Sequence, residues 1–268
     1  MKRGTSRLPA VIGLGIVMTA GGCSVYFPRD IRHPGAMTLP ASVPERDNFL
    51  SATGCQVDTL LYRPEHPRTE ALVVLAHGFL RNQDRMAGLA QALAAAGIPT
   101  ATLSLCSSRL LDGRHITNGV DMRRLAGRLH ARQVVYAGFS SGGLAALVAG
   151  RLDPNTRGIL TLDLVDAGGI GTGIARKLDK PLVGLVGEPA ACNSYNNGLA
   201  VFAASPQAQL TRVSGASHCD FESPSDWLCE LVCDGPGFGS EMRRRRIIDR
   251  SVAAVVGLLG LEPGAGAR

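Results

Sequence analysis

One stretch in the middle of the chain constrains the fold more than any other. The apolar run 134–137 ends at Gly138, Ser140 follows, and Gly142 precedes a helix-favouring run that starts at Leu144. This order predicts a buried β-strand, a tight turn and a helix, with one serine at the apex of the turn. Glycines are expected on both sides of the serine because neighbouring backbone comes so close that side chains would clash.

Ser140 is therefore the first candidate for a catalytic residue. The turn lifts its hydroxyl clear of the sheet, and the amides of the first helical turn point towards whatever the hydroxyl attacks. The pattern Gly-x-Ser-x-Gly between a strand and a helix is typical of a serine nucleophile. The alternative is an ordinary strand-to-helix turn capped by serine, and the flanking strand and helix favour the catalytic interpretation.

The rest of the chain alternates between strand-like and helix-like runs. Further strands are predicted at 57–62, 71–76, 99–105, 158–162, 181–186 and 209–213, and helices at 86–96, 121–131, 141–152 and 241–259. Strands that alternate with helices form mostly parallel sheets. We therefore expect an α/β fold, with a mostly parallel central sheet and helices on both faces, in one domain over residues 49–268.

A serine nucleophile needs a general base, and the chain offers one histidine downstream of Ser140. In this class of site the acid follows the serine and the histidine comes last. Of the six histidines only His218 lies after Ser140, in a loop after the last predicted strand. A neutral imidazole takes the serine proton and returns it to the leaving group. The alternative is a surface-loop histidine without a catalytic role.

Three carboxylates compete for the role of the acid that orients His218. Asp163 ends a buried strand, Asp166 follows three residues later, and Glu188 follows the next strand. A carboxylate at the end of an apolar strand needs a partner because burying it alone is costly, and this favours Asp163. Asp166 can instead cap a helix, and Glu188 can be a solvated turn residue.

The oxyanion that develops during acyl transfer needs two backbone N–H donors. One is expected from Ser141, directly after the nucleophile, and the other from Phe79, in the loop after strand 71–76. His77 precedes Phe79. We expect His77 to brace this loop by hydrogen bonding rather than to act as a base.

Several segments together resemble one branch of a known superfamily. They are His77-Gly78-Phe79, residues 138–143, residues 162–166, Glu188-Pro189 with Cys192-Asn193, and residues 215–222. Together they resemble the chlorophyllase-like α/β-hydrolases and, more loosely, cutinases and dienelactone hydrolases. The resemblance implies the α/β-hydrolase fold, ester hydrolysis by a serine without a cofactor, and Asp163 as the acid. The chain departs from the chlorophyllase pattern at Leu164, where that family has proline, and at Phe139 and Ser141, where it has histidine and arginine.

The first residues have the pattern of an export signal. Residues 1–7 form a short basic segment, residues 8–20 are apolar, and small residues precede Cys23. This is typical of a secretory signal peptide, here over residues 1–22. The small residues before Cys23 resemble the lipobox of bacterial lipoproteins, which implies cleavage before Cys23 and its diacylation. The alternative is an ordinary signal peptide cut near Ala20.

Residues 23–48 contain four prolines and little periodicity, which predicts a tether, with a first edge strand near its end. Ser24 gives no sign of retention at an inner membrane, so we expect a protein anchored by lipid in the bacterial cell envelope, at the outer membrane or in the periplasm.

The chain carries a net charge of +6, and Arg243–Arg246 form a basic run that we expect to be a solvated helix face. Anionic lipid head groups are a candidate partner, nucleic acid is not expected for an exported protein, and we expect a monomer.

Six cysteines remain after Cys23, and an even number in an exported chain predicts disulfides. The sequence leaves all 15 connectivities open. A bridge at Cys219 would fix the loop of the neighbouring His218. The alternative is a metal site formed by His218, Cys219, Cys229 and Cys233, but paired Cys-x-x-Cys motifs are absent and we expect no metal.

These observations predict a serine hydrolase that cleaves a small-molecule or lipid ester through an acyl-enzyme. Two alternatives remain open at this point. One is hydrolysis of another acyl bond by a lipase or a peptidase. The other is a non-catalytic binding protein, since a fold does not by itself establish a function.

Overall fold

The computed structural model describes residues 43–106, 114–234 and 240–262. Within these ranges eight strands form one sheet: β1 (Glu45–Leu50), β2 (Gln56–Tyr62), β3 (Leu72–Ala76), β4 (Thr100–Leu103), β5 (Val134–Phe139), β6 (Thr156–Leu162), β7 (Leu182–Val186) and β8 (Ala208–Arg212). Their order in the sheet is β1-β2-β4-β3-β5-β6-β7-β8. The strands from β4 to β8 pair in parallel, whereas β2 is antiparallel to both β1 and β4.

Helices cover both faces of this sheet, as predicted. They are α1 (Ala87–Ala95), α2 (His115–Arg128), α3 (Ser141–Leu152), α4 (Ile170–Ala175), α5 (Leu199–Ala204), α6 (Trp227–Cys229) and α7 (Glu241–Leu258). Alternate residues of β3 point to opposite faces, so Val74 packs in a core with α2 and α3, whereas Val73 and Leu75 pack in a second core with α1 and α7. Burial on both faces explains why the central strands are continuous apolar runs.

Helix α2 begins at His115, six residues before the predicted start at 121. The periodicity hides this first turn because Gly119 is a poor helix former. The glycine is needed for close packing, since a β-carbon there would lie 2.5 Å from the Val148 side chain on α3. The short helices α4 and α5 were not predicted. Helix α4 lies in a stretch with four glycines between 168 and 173, which hides its helical pattern.

Strand β1 places residues 45–48 in the sheet, so the sheet begins before the predicted domain start at 49. The predicted signal peptide, Cys23 and most of the predicted tether lie outside the described residues. No helix among residues 43–106, 114–234 and 240–262 is long and apolar enough to cross a membrane.

The described cysteines form three disulfides, Cys55–Cys106, Cys192–Cys233 and Cys219–Cys229. The prediction of disulfides is confirmed, and the structure supplies the connectivity that the sequence left open. None of the three bridges involves a strand residue, since Cys55 lies between β1 and β2, Cys106 follows β4, and the other four lie after β7 or β8.

Candidate active site

The turn between β5 and α3 holds Ser140 in a strained backbone conformation. Its φ of 54° and ψ of −121° lie in a region that residues with a side chain rarely adopt. Gly138 and Gly142 make this turn possible, because a β-carbon on Gly138 would clash with the Gly142 carbonyl, and one on Gly142 with the His77 carbonyl. The serine therefore lies at the apex of the turn, at the carboxyl end of β5.

Asp163 and His218 form a buried hydrogen-bonded pair. The His218 Nδ1–H donates to Asp163 Oδ2 at 2.6 Å, and the Asp163 side chain is fully buried. Asp163 directly follows β6 and has a positive φ of 44°, which aspartate tolerates better than most residues. Its other oxygen, Oδ1, accepts a hydrogen bond from the Gly187 amide at 2.9 Å. The imidazole is thereby fixed with its Nε2 free to act as a proton acceptor.

The fold brings this pair to the end of the sheet where Ser140 lies. Strands β5 and β6 are neighbours in register, and the Ser140 amide donates to the Leu162 carbonyl at 2.8 Å, one residue before Asp163. The His218 ring lies against the ring of Phe139, with 4.6 Å between the ring centroids. Ser140, Asp163 and His218 thus belong to adjoining loops at the carboxyl edge of the sheet.

The other two candidate acids have different partners. Asp166 accepts hydrogen bonds from the Gly171 and Thr172 amides at 2.6 and 3.0 Å, so its carboxylate holds the start of α4. Glu188 is about half exposed, accepts from the Gly215 amide at 2.9 Å, and lies 3.7 Å from Arg212. Of the three predicted alternatives, the structure places only Asp163 against His218.

The two predicted oxyanion donors lie in segments that adjoin Ser140. Ser141 begins α3, and Phe79 lies in the loop after β3, where Gly78 packs beneath Phe139 and Ser140. Neither amide makes a hydrogen bond to any part of the chain that the structure describes. Neither N–H group is therefore occupied within the described chain.

His77 braces the loop that carries Phe79. Its Nδ1–H donates to the Gly78 carbonyl at 2.6 Å, and its Nε2 accepts from the Leu105 amide at 2.8 Å, which ties the end of β3 to the end of β4. Burial lowers the pKa of His77 to about 4. Both ring nitrogens are occupied by structural hydrogen bonds, and the ring is neutral near pH 7.

Sequence reasoning assigned no role to Asn193, which supports Asp163. The Asn193 Nδ2 donates to Asp163 Oδ2 at 3.1 Å and to the Glu188 carbonyl at 2.8 Å, and the side chain is fully buried. Asn193 lies in one of the segments that carry the family resemblance, but no local pattern shows which carboxylate its side chain will contact.

Arg81 was also missed, although it lies two residues after Phe79. It forms a bidentate ion pair with the buried Glu222, at 2.7 and 2.5 Å, and a further contact with Asp226 at 3.0 Å. Glu222 lies four residues after His218. The pair therefore joins the loop of the proposed oxyanion donor to the loop of the histidine.

The prediction that the basic run is a solvated helix face is only half correct. Arg243 pairs with the buried Asp220 at 2.7 Å, and Arg244 pairs with Glu230 at 3.1 Å, whereas Arg245 and Arg246 are exposed. The sequence of the run alone did not indicate these ion pairs, because the acidic partners lie outside the helix, earlier in the chain. Arg243 and Arg244 fix the His218 loop against α7.

The Sγ atoms of Cys219, Cys229 and Cys233 lie within 4.8 Å of one another, near the predicted alternative metal site. All three belong to disulfides, and a metal requires free thiolates. The Cys219–Cys229 bridge starts next to His218, and the Cys192–Cys233 bridge starts next to Asn193. The residues at this position thus serve to fix the loops of the site.

The sheet order, the serine turn and the acid–histidine pair at the carboxyl edge together define an α/β-hydrolase fold. No protein-family model matches the chain, and no curated protein matches it by sequence. Solved structures do match, and they include an α/β serine hydrolase homologue, esterases and dienelactone hydrolases.

Three of these structures illustrate the likeness. Est1E from Butyrivibrio proteoclasticus has a TM-score of 0.60 and 15% identity, over 82% of this chain and 100% of that chain. A dienelactone hydrolase from Anabaena variabilis has a TM-score of 0.55 and 18% identity, over 81% and 96%. An α/β serine hydrolase homologue from Coxiella burnetii has a TM-score of 0.55 and 16% identity, over 65% and 88%. At these identities the likeness establishes the fold.

Proposed function

We propose that this protein is a serine hydrolase that cleaves a carboxylic ester through an acyl-enzyme. The observation that carries the proposal is the buried hydrogen bond from His218 to Asp163, at the same edge of the sheet as the strained Ser140. The names of the structural neighbours, which include esterases and dienelactone hydrolases, support a hydrolase on this fold.

In the proposed mechanism, the Ser140 hydroxyl attacks the ester carbonyl while His218 Nε2 takes its proton. Asp163 keeps the proton of Nδ1 in place and stabilises the imidazolium that forms. The amides of Phe79 and Ser141 donate to the oxyanion of the tetrahedral intermediate. His218 then protonates the departing alcohol, which leaves an acyl group on Ser140. Water attacks this acyl-enzyme with His218 again as the base, and His218 then returns the proton to Ser140 as the bond to the acyl group breaks and the carboxylic acid is released.

A fluorophosphonate probe tests this function directly. The probe phosphonylates a serine that a base activates, with loss of fluoride, so we expect the purified protein to be labelled at Ser140 and the Ser140→Ala variant to remain unlabelled. Lack of labelling in the unmodified protein would favour a non-catalytic binding protein. A panel of soluble esters, lipid esters and amides then separates an esterase from a lipase or a peptidase by relative kcat/KM.

We further propose that the protein is exported and anchored by lipid at Cys23. The signal-like pattern of residues 1–23 supports export, and three disulfides are typical of a protein in an oxidising compartment. Cells grown with labelled palmitate should incorporate the label into the protein and lose it in the Cys23→Ser variant. An unlabelled mature protein would rule out the anchor.

A further inference from the structure

A short helical segment after the His218 loop presents an apolar face to solvent. The segment covers 227–234, and its side chains Trp227, Leu228, Leu231 and Val232 are 73, 51, 56 and 70% exposed. These positions follow the spacing i, i+1, i+4, i+5, which places them on one side of a helix. Contiguous apolar side chains at the surface of a soluble domain mark an interaction site.

The opposite side of this segment is attached to the domain. Cys229 is bonded to Cys219, Cys233 to Cys192, and Glu230 pairs with Arg244 at 3.1 Å. The large apolar side chains therefore do not hold the segment in place, since covalent bonds and an ion pair do so. The outward face is available for a contact outside the domain.

The first turn of the segment is fixed in the same way. Asp226 accepts a hydrogen bond from the Cys229 amide at 2.8 Å and pairs with Arg81 and Arg85, at 3.0 and 2.6 Å. Arg81 follows Leu80, whose side chain is 58% exposed, and the Arg81–Asp226 pair brings the loop after β3 to the first turn of the segment. The apolar face thus borders the loops of Phe79 and His218.

We propose that the face formed by Trp227, Leu228, Leu231 and Val232 docks the domain onto a lipid surface. An amphipathic helix with tryptophan and leucine on one side is suited to lie in the plane of a membrane interface, where an indole ring is favoured. The docking does not depend on the proposed ester chemistry, but the choice of a lipid surface as the occupant rests on the proposed lipid anchor at Cys23.

The chain before the described domain also favours a lipid surface over a protein partner. Nineteen residues lie between Cys23 and Val43, and an extended chain of this length spans up to about 70 Å. An anchor at Cys23 would keep the domain within this distance of the membrane, and such tethering greatly raises the effective concentration of a second contact. A weak apolar face is then sufficient for docking.

The chain itself contains the reporter for a test, because Trp227 is its only tryptophan. The full-length protein is reconstituted into phosphatidylcholine vesicles, with and without lipids brominated on the acyl chains. Docking predicts a blue-shifted emission of Trp227 and a loss of most of that emission in the brominated vesicles. Emission typical of a water-exposed indole, without bromine quenching, would overturn the proposal. A blue shift that grows with protein density, without quenching, would assign the face to a second copy of the chain and would also overturn it.

A matched pair of variants adds a second measurement. Leu231→Asp removes one side chain of the face, and the docking constant should fall by at least about tenfold, the effect of losing one buried leucine-sized group. Leu50→Asp removes a side chain that is 63% exposed on β1, and it should leave the quenching unchanged. Equal quenching in both variants would contradict the assignment of the face. Should Leu231→Asp fail to fold, the measurement on the unmodified chain still decides.

Discussion

His77 is a buried histidine whose two nitrogens are both used by the backbone. Desolvation is the main cause of its low pKa of about 4, and the nearby charge of Arg81 lowers the pKa further, while the hydrogen bond to the Gly78 carbonyl opposes the shift. Because an unperturbed histidine has a pKa near 6.5, the unfolded chain binds a proton at this residue more readily than the folded protein does.

This difference predicts a dependence of stability on pH. The contribution of neutral His77 is fully present above pH 6.5 and is lost as the pH falls from 6.5 towards 4, by an amount of the order of 3 kcal/mol. Denaturant unfolding between pH 4 and pH 8 measures the free energy of unfolding. The His77→Gln variant keeps an acceptor for the Leu105 amide and should show a smaller slope in this range. An identical slope in both proteins would contradict the buried neutral state.

Asp163 permits a sharper test of the proposed site than removal of the serine. In Asp163→Asn an amide replaces an oxygen that accepts from the Gly187 amide or from His218 and Asn193, so one donor faces another and the imidazole loses its orientation. We expect kcat for a soluble ester to fall by about 10²–10⁴-fold, in line with loss of the acid in other triads. Glu188→Gln is the control, because its side chain does not reach His218, and its kcat should stay within a fewfold of the unmodified enzyme.

At the scale of elements, the ion pair of Arg81 with Glu222 joins the loop of Phe79, a proposed oxyanion donor, to the loop of His218, the proposed base. Glu222 is fully buried, so removal of Arg81 alone leaves an unpaired buried carboxylate. We expect Arg81→Met to lower the free energy of unfolding by about 3–5 kcal/mol. The double variant Arg81→Met/Glu222→Met should be more stable than Arg81→Met, because neither charge is then buried alone. Urea unfolding of the unmodified protein and the two variants measures this difference, and a double variant no more stable than Arg81→Met would contradict the coupling.

The same elements show what local sequence determines. Helix α3 begins and ends where the sequence predicts, because the glycines around Ser140 and the apolar run after them leave one way to continue the chain. Similarly, the cost of burying a lone carboxylate at the end of β6 predicted Asp163 as the acid. Asn193 and Arg81 were missed because their partners are distant in sequence, and a hydrogen bond between distant loops has no local signature. The bounds of α2 were missed because Gly119 serves packing against α3 rather than helix propensity.

At the scale of the whole molecule, the three disulfides among the described residues all lie at the end of the sheet where Ser140 lies. Cys106 follows β4, and Cys55 precedes β2, which is antiparallel to β4, so this bridge lies at the carboxyl edge of the parallel strands. The other two bridges fix the loops after β7 and β8. The parallel strands are held by their apolar faces, and the loops at this edge are held in addition by these covalent links.

This arrangement predicts that stability and activity will respond to different bridges. The Cys55–Cys106 bridge closes a segment of 51 residues and the Cys219–Cys229 bridge one of 10 residues, so the chain-entropy model assigns them about 4 and about 3 kcal/mol. The pair of substitutions Cys55→Ala/Cys106→Ala should therefore cost more in the free energy of unfolding. The pair Cys219→Ala/Cys229→Ala should cost more in kcat, because it releases the residue next to His218.

Urea unfolding and initial rates on a soluble ester, both measured at a temperature where each variant is folded by circular dichroism, separate the two effects. If the order of the two variants were the same in stability and in kcat, the Cys219–Cys229 bridge would act only through global stability. A reversed order would mean that this bridge fixes the position of the imidazole independently of how firmly the sheet is folded, since only a local change in the His218 loop lowers kcat without a matching loss of stability.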